Sequence, residues 1–289
     1  MNELIFRTFR KIAKLFSGHK IRDRFQWIDQ LYKRVNRGLA PKTARVHGHT
    51  MFIDQDDSMG LALNGEYEPV ETKLILELVK PGAAILDIGA NIGYYSLLFA
   101  KLTGPSGQVF AFEPDPYSYD LLQQNILKNG YTNIFTFQLG VSDQNEELVL
   151  YRDPFNNLDH RVLKSDVNDN TESVRVVKLD DFLPEHSARP IDFIKMDIQG
   201  SEGWALEGMK ELIKGSKSIQ ILTEYEPQRL DQSGYGGVNY LLQLEELGFE
   251  LIDIDQNFSA YKPISLGELT QKYPEGYSGH TNLLCRRPQ

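Results

Sequence analysis

Hydrophobic and polar positions along this chain switch period again and again. Short apolar runs that end in acidic residues alternate with longer stretches at helical spacing. Residues 84–88 (Ala-Ile-Leu-Asp-Ile) and 108–112 (Gln-Val-Phe-Ala-Phe) read as buried strands, and Tyr94 to Ala100 between them reads as a helix. Residues 46–54 alternate as an accessory antiparallel strand. A helix follows over 69–79, closed by Pro81-Gly82. Residues 117–128 predict a helix ended by Asn129-Gly130, and 134–141 a third core strand. Strands at 147–152 and 173–179 read as a pair with irregular polar chain between them. A fourth core strand is expected at 192–196, a helix at 202–213 and a fifth strand at 218–225. A helix at 238–247 and strands at 249–254 and 281–285 complete the pattern. Strands alternating with helices predict an α/β fold, a doubly wound, mostly parallel, seven-stranded sheet.

Such sheets bind ligands at the carboxyl ends of their strands. The first strand here ends in Asp87-Ile88-Gly89-Ala90-Asn91-Ile92-Gly93. Gly89 and Gly93 permit close approach of backbone and ligand, and Asn91 suits a positive φ. A diphosphate cofactor wants G-x-G-x-x-G without a carboxylate beside its phosphates. The spacing here is G-x-x-x-G, and Asp87 precedes the turn. That arrangement suits a cationic ligand, so S-adenosylmethionine, with its ammonium and sulfonium, fits better than NAD. Glu113 ends the second strand, where an acid can bind ribose hydroxyls. Val141-Ser142-Asp143 ends the third and places Asp143 for an adenine amino group; a turn bonding its own backbone is the alternative.

Over roughly residues 46–285 the chain resembles the FkbM-type S-adenosylmethionine-dependent methyltransferases. The resemblance rests on Gly65-Glu66-Tyr67-Glu68-Pro69, on residues 87–93, on Ala111-Phe112-Glu113-Pro114-Asp115, on Val141-Ser142-Asp143 and on residues 194–202 (Ile-Lys-Met-Asp-Ile-Gln-Gly-Ser-Glu). It implies a Rossmann-like methyltransferase sheet with S-adenosyl-L-methionine as cofactor. The implied cofactor contacts are Tyr67, Glu68, Asp87, Gly89, Ala90, Asn91, Gly93, Ser96, Glu113, Pro114, Ser142, Asp143 and Asp197. It also implies a hydroxyl acceptor on a sugar, glycoconjugate or small-molecule natural product. Position 199, Glu or Gln in the family, is Gln here, which argues against a metal-chelating block.

Composition fits one catalytic domain with an extension. The chain has 289 residues, enough for one sizeable α/β core, and no apolar run approaches a membrane span. Its one cysteine, Cys285, forms no intrachain disulfide and suits a reducing, cytoplasmic setting. Charge divides the chain. Residues 1–45 hold twelve Lys or Arg against three Asp or Glu, giving +9, so the remainder carries −18 of the net −9. Ile5, Phe9, Ile12 and Phe16 recur at helical spacing among Arg7, Arg10, Lys11 and Lys14. This basic helical extension is expected either to lie on an anionic membrane surface or to pack on the domain at 46–289 or on a second subunit as a homodimer contact.

Methyl transfer to an alcohol is helped by a general base. Asp197, ending the fourth strand, is the first candidate; holding a cofactor ammonium is its alternative role. Glu224, ending the fifth, is the second. His160 lies in a polar insertion over 153–172, where long connections are often functional, with Asp159 and Arg161 beside it. Glu202 is expected to be a first-turn helix charge. His47 and His49 are expected on one strand face without a third ligand, so no metal site is predicted. Nucleic-acid methylation is disfavoured by the −18 balance and by Asp197-Ile198-Gln199-Gly200 where a double-proline aromatic turn would be needed. Two rivals remain from the sequence: a nicotinamide oxidoreductase on the same fold, and a non-catalytic cofactor-binding partner protein.

Overall fold

The computed structural model describes residues 41–151, 161–163, 171–187, 189–255 and 260–288. The expected basic helix and His160 lie outside these. The strands in chain order are β1 (Thr43–Val46), β2 (His49–Phe52), β3 (Ala84–Ile88), β4 (Gln108–Phe112), β5 (Ile134–Phe137), β6 (Gly140–Val141), β7 (Glu146–Tyr151), β8 (Arg161–Leu163), β9 (Thr171–Val177), β10 (Phe193–Met196), β11 (Gln220–Tyr225), β12 (Glu250–Ile254) and β13 (Thr281–Arg286). Seven of them form the main sheet in the order β12-β13-β11-β10-β3-β4-β5, with β13 antiparallel to both neighbours and all other pairs parallel. This is the doubly wound, Rossmann-like sheet that the pattern predicts. Chain order reverses between β3 and β10, the topological switch point where such sheets bind ligands.

Helices cover both faces. On β3, Ile85 packs into one core layer, and Ala84, Leu86 and Ile88 into the other. Asp87 shares the face of Ile85, beneath the helix Tyr94–Thr103. The helix Pro116–Asn129 starts where Asp115 accepts a hydrogen bond from the Ser118 amide and ends at Gly130, whose φ of 71° closes it.

Three expected elements differ in ways with clear causes. The accessory strand over 46–54 is a hairpin, β1 paired with β2, because His47 and Gly48 both take positive φ (48° and 90°) and make a two-residue turn. The two histidines therefore do not share a strand face. His47 bonds Tyr94 and His49 bonds Tyr131, which ties the hairpin to the domain. The third core strand stops at Phe137. Gly140 and Val141 instead pair with β9 in a second sheet of order β6-β9-β7-β8, and a Cβ on Gly140 would sit 2.9 Å from Val176 Cγ1. The helix expected over 202–213 is two, Glu202–Glu207 and Lys210–Gly215. Gly208 packs on the Ser142 carbonyl, where a Cβ would approach to 1.9 Å, and the Asp180 carboxylate accepts from the Glu211 and Leu212 amides to cap the second helix.

Candidate functional site at the carboxyl edge of the sheet

The turn after β3 is shaped by three left-handed residues, Gly89 (φ 83°), Asn91 (49°) and Gly93 (91°). A Cβ on Gly89 would lie 2.0 Å from the Asp197 carbonyl oxygen. Glycine is therefore required by the close approach of the segment that follows β10. Gly93 is required by helix packing, since its Cβ would meet Leu122 at 2.7 Å. The Gly89 and Ala90 amides both donate to the Phe112 carbonyl, locking this turn to the end of β4.

Glu113 is the hinge of that lock. It is buried, and its two carboxylate oxygens accept from the Asn91 and Asp115 amides, each at 2.8 Å. Burial nonetheless pushes its carboxyl up to about 8, against the lowering effect of those bonds. A pocket opens here. It is lined by Ile88, Gly89, Asn91, Glu113 and Pro114 from the ends of β3 and β4, and by Asp197, Ile198 and Gln199 from the end of β10. The second sheet closes it with Val141, Leu150 and Val162, and Ser201 Oγ donates to the Val162 carbonyl. Apolar walls around one buried carboxylate with spare acceptor capacity fit a nucleoside: a flat base between the walls and ribose hydroxyls on Glu113.

Beside this pocket lies a charged cluster built on β10. Lys195 is 2% exposed and in register with Asp87 on β3. Its ammonium is 3.4 Å from Asp197 Oδ2 and lies 5.3 Å from the centre of the Tyr95 ring. Burial opposes its charge, but Asp197, Glu68, Glu224 and Asp87 together outweigh that and hold it firmly protonated. Burial likewise opposes ionisation of Asp197. Lys195 and the Gln199 amide, which donates to Oδ1 at 2.9 Å, overcome it and keep Asp197 below the ordinary carboxylate range. Glu224 behaves oppositely. Burial, then the Asp197 charge, drives it well above that range while it accepts from the same Gln199 amide. Burial also raises Glu68, which accepts from the Tyr95 hydroxyl at 2.7 Å.

The sequence-derived candidates thus divide. Gly89, Asn91, Glu113, Pro114 and Asp197 line the pocket together. Tyr67, Glu68 and Glu224 group electrostatically around Asp197 and Lys195. Asp87 is buried under the turn and accepts from Ser96 Oγ, with burial raising it to about 6. Asp87, Ser96, Ala90 and Gly93 therefore shape the site from behind its wall. The wall contributed after β5 is Leu139, Gly140 and Val141. Ser142 and Asp143 lie beyond it, bonded to each other at 3.1 Å. Glu202 holds the turn after β10 by accepting from the Ile198 and Gly200 amides at 2.9 Å each. Lys195 escaped the sequence reading, although a lysine inside an otherwise apolar core strand is itself a signal. Glu224, Glu226 and His280 bring ligand atoms within 4.8 Å of one another. Arg229 ion-pairs Glu226 at 2.6 Å and Gln199 holds Glu224, so no metal is assigned to them. Among the described residues, no helix is long and apolar enough to cross a membrane.

Several known proteins resemble this chain. The chain is 31% identical over 179 residues to 2-O-methyltransferase NoeI of Sinorhizobium fredii, covering 56% of this chain and 70% of that protein. It is 26% identical over 162 residues to 31-O-demethyl-FK506 methyltransferase FkbM of Streptomyces tacrolimicus, covering 46% of this chain and 62% of the relative. A crystal structure of an S-adenosylmethionine-dependent O-methyltransferase from Thermotoga maritima superposes with a TM-score of 0.45 at 14% identity, over 86% of each chain. Residues 87–251, which run from Asp87 through the pocket and the Lys195 cluster into β12, match the Methyltransferase FkbM domain, and the chain belongs to that methyltransferase family.

Proposed function

We propose that this protein is an O-methyltransferase that transfers a methyl group from S-adenosyl-L-methionine to a hydroxyl of a sugar, glycoconjugate or small-molecule natural product, with Asp197 as general base. The observation that carries the reading is Asp197 itself. It lines the same pocket as Glu113, its side chain is 22% exposed, and it is the carboxylate of its cluster kept ionised by a buried cation. When bound, S-adenosyl-L-methionine supplies an electrophilic methyl group. Glu113 would hold the ribose hydroxyls, and Val141, Leu150 and Val162 would shield the base from water. Glu68, with Tyr67 and Glu224 near it, borders the space expected for a cationic amino-acid end. Asp197 takes the proton of the acceptor hydroxyl as that oxygen gains its methyl group. Glu224, kept neutral by burial and by Asp197, leaves a single ionised base facing the acceptor.

The hydroxyl acceptor is supported by the relatives, whose names specify O-methylation and, in Haloferax volcanii, a hexuronic acid. The test is a methyl-transfer assay against a panel of sugars and hydroxylated natural products, with calorimetry against S-adenosylmethionine and NAD. Binding of S-adenosylmethionine and transfer to oxygen are expected. Binding of NAD alone would return the oxidoreductase reading, and cofactor binding without transfer to any acceptor would return the partner-protein reading.

A further inference from the structure

We infer that Lys195 is a positioning residue whose buried ammonium is the counter-ion that keeps Asp197 ready to accept a proton. The inference rests on the base role proposed for Asp197. Lys195 rises from the middle of β10 on the face shared with Asp87, and its side chain runs beneath the Tyr95 ring to end 3.4 Å from Asp197. Four carboxylates act on it: Glu68 from the loop before Pro69–Leu78, Asp87 from β3, Glu224 from β11 and Asp197 beside it. A lone ammonium in a protein interior is expensive, and one with several acids around it is stable only as a cation. The four acids do not share it equally. Asp197 forms the ion pair with it, whereas Glu68 accepts from Tyr95, Asp87 from Ser96 and Glu224 from Gln199.

The other groups near Asp197 cannot replace this cation. Gln199 and Tyr67 are neutral, His280 is exposed and acts as a minor partner, and Glu202, Glu224 and Glu68 supply no positive charge. Remove Lys195, and burial together with these acids drives Asp197 toward its protonated form. An opposite charge at this range moves a carboxyl by about 1 to 3 pH units.

The experiment follows the acidic limb of the kcat–pH profile in Lys195→Met and Lys195→Arg, with carbon-13 NMR titration of the Asp197 carboxyl in the wild-type protein and both variants. In Lys195→Met the limb and the NMR midpoint should both move up by at least one pH unit. Lys195→Arg, which keeps the charge, should leave them near the wild-type position. A lysine that merely fills space would lower the melting temperature and shift neither. If Lys195→Met does not fold, the wild-type titration still decides: a midpoint above about 4 overturns the inference. Asp197→Asn keeps the two readings apart. Near-full turnover in that variant removes the base assignment, while an NMR midpoint that moves with Lys195 still upholds the counter-ion.

Discussion

Glu113 and Asp197 are two acids that line one pocket, and the protein treats them differently. Glu113 is held by backbone amides of Asn91 and Asp115, neutral donors that belong to the turn itself. Asp197 is held by side chains, the Lys195 cation and the Gln199 amide. Burial opposes ionisation in both. The amides do not outweigh it, and Glu113 rises to about 8; the lysine does, and Asp197 falls below its ordinary range. A backbone cradle fixes position and leaves the charge to be completed by ligand hydroxyls. A buried counter-ion fixes the charge and leaves the carboxylate free to take a proton. One arrangement suits binding and the other suits chemistry.

The largest effect expected on this contrast is in Asp197→Asn. Turnover should fall by ~10²- to 10⁴-fold, the usual range for a positioned base, with cofactor affinity nearly unchanged. If affinity falls first and turnover recovers at saturating cofactor, Asp197 holds the ammonium instead. Stopped-flow or steady-state kinetics with parallel calorimetry separates the two.

Gly89→Ala attacks both walls at once, since its Cβ would collide with the Asp197 carbonyl at 2.0 Å and its φ of 83° disfavours any side chain. A loss of ~2 to 4 kcal/mol in unfolding free energy is expected, together with reduced turnover, because the Asp197 backbone must move. Denaturant titration that finds wild-type stability would show that the two strand ends are less tightly packed than described.

Above about pH 8, where Glu113 is ionised, Glu113→Ala should weaken cofactor binding by ~1.5 to 3 kcal/mol, about 10- to 100-fold in Kd, by removing hydrogen bonds to a charged group. Turnover at saturation should change far less than in Asp197→Asn. An unchanged calorimetric isotherm would place the ribose elsewhere.

The most gradual effect is a pH slope. Glu113 is raised from 4.5 to about 8 in the fold, so the native state binds the extra proton between those values. Its contribution to stability is full below about 4.5 and is lost as pH rises through about 8. The melting temperature of the cofactor-free protein should therefore fall from pH 5 to pH 8.5, by ~2 to 4 °C for each 1 kcal/mol lost. Cofactor affinity should rise over the same interval, because ribose hydroxyls prefer the ionised carboxylate. Glu113→Gln should flatten both slopes, and a slope that persists in this variant would assign it to Glu202 or Asp87.

The strand ends were readable because they are local. An apolar run, an acid and a glycine-rich turn sit within ten residues at 84–93, and a second run with its acid at 108–113, so periodicity and turn chemistry suffice. The same reading erred at 134–141 and 202–213. There the outcome depends on partners distant in sequence, Val176 for Gly140 and the Ser142 carbonyl for Gly208. It expects Asp143 to meet an adenine amino group, and the segment just before it, Leu139 to Val141, lines the pocket together with Leu150 and Val162.

By itself, the sequence determined the alternation of strands and helices, the left-handed turn after β3, and the acids at the ends of β3, β4, β10 and β11, because each follows from residues adjacent along the chain. Only the tertiary structure decided which acids line the pocket and which is ionised. That depends on β10 lying beside β3, which brings Lys195 against Asp87 and within 3.4 Å of Asp197, and on the second sheet closing over Glu113. Charge state in a low-dielectric interior is set by neighbours in space, and the protein brings those neighbours together from residues as far apart as Glu68 and Glu224.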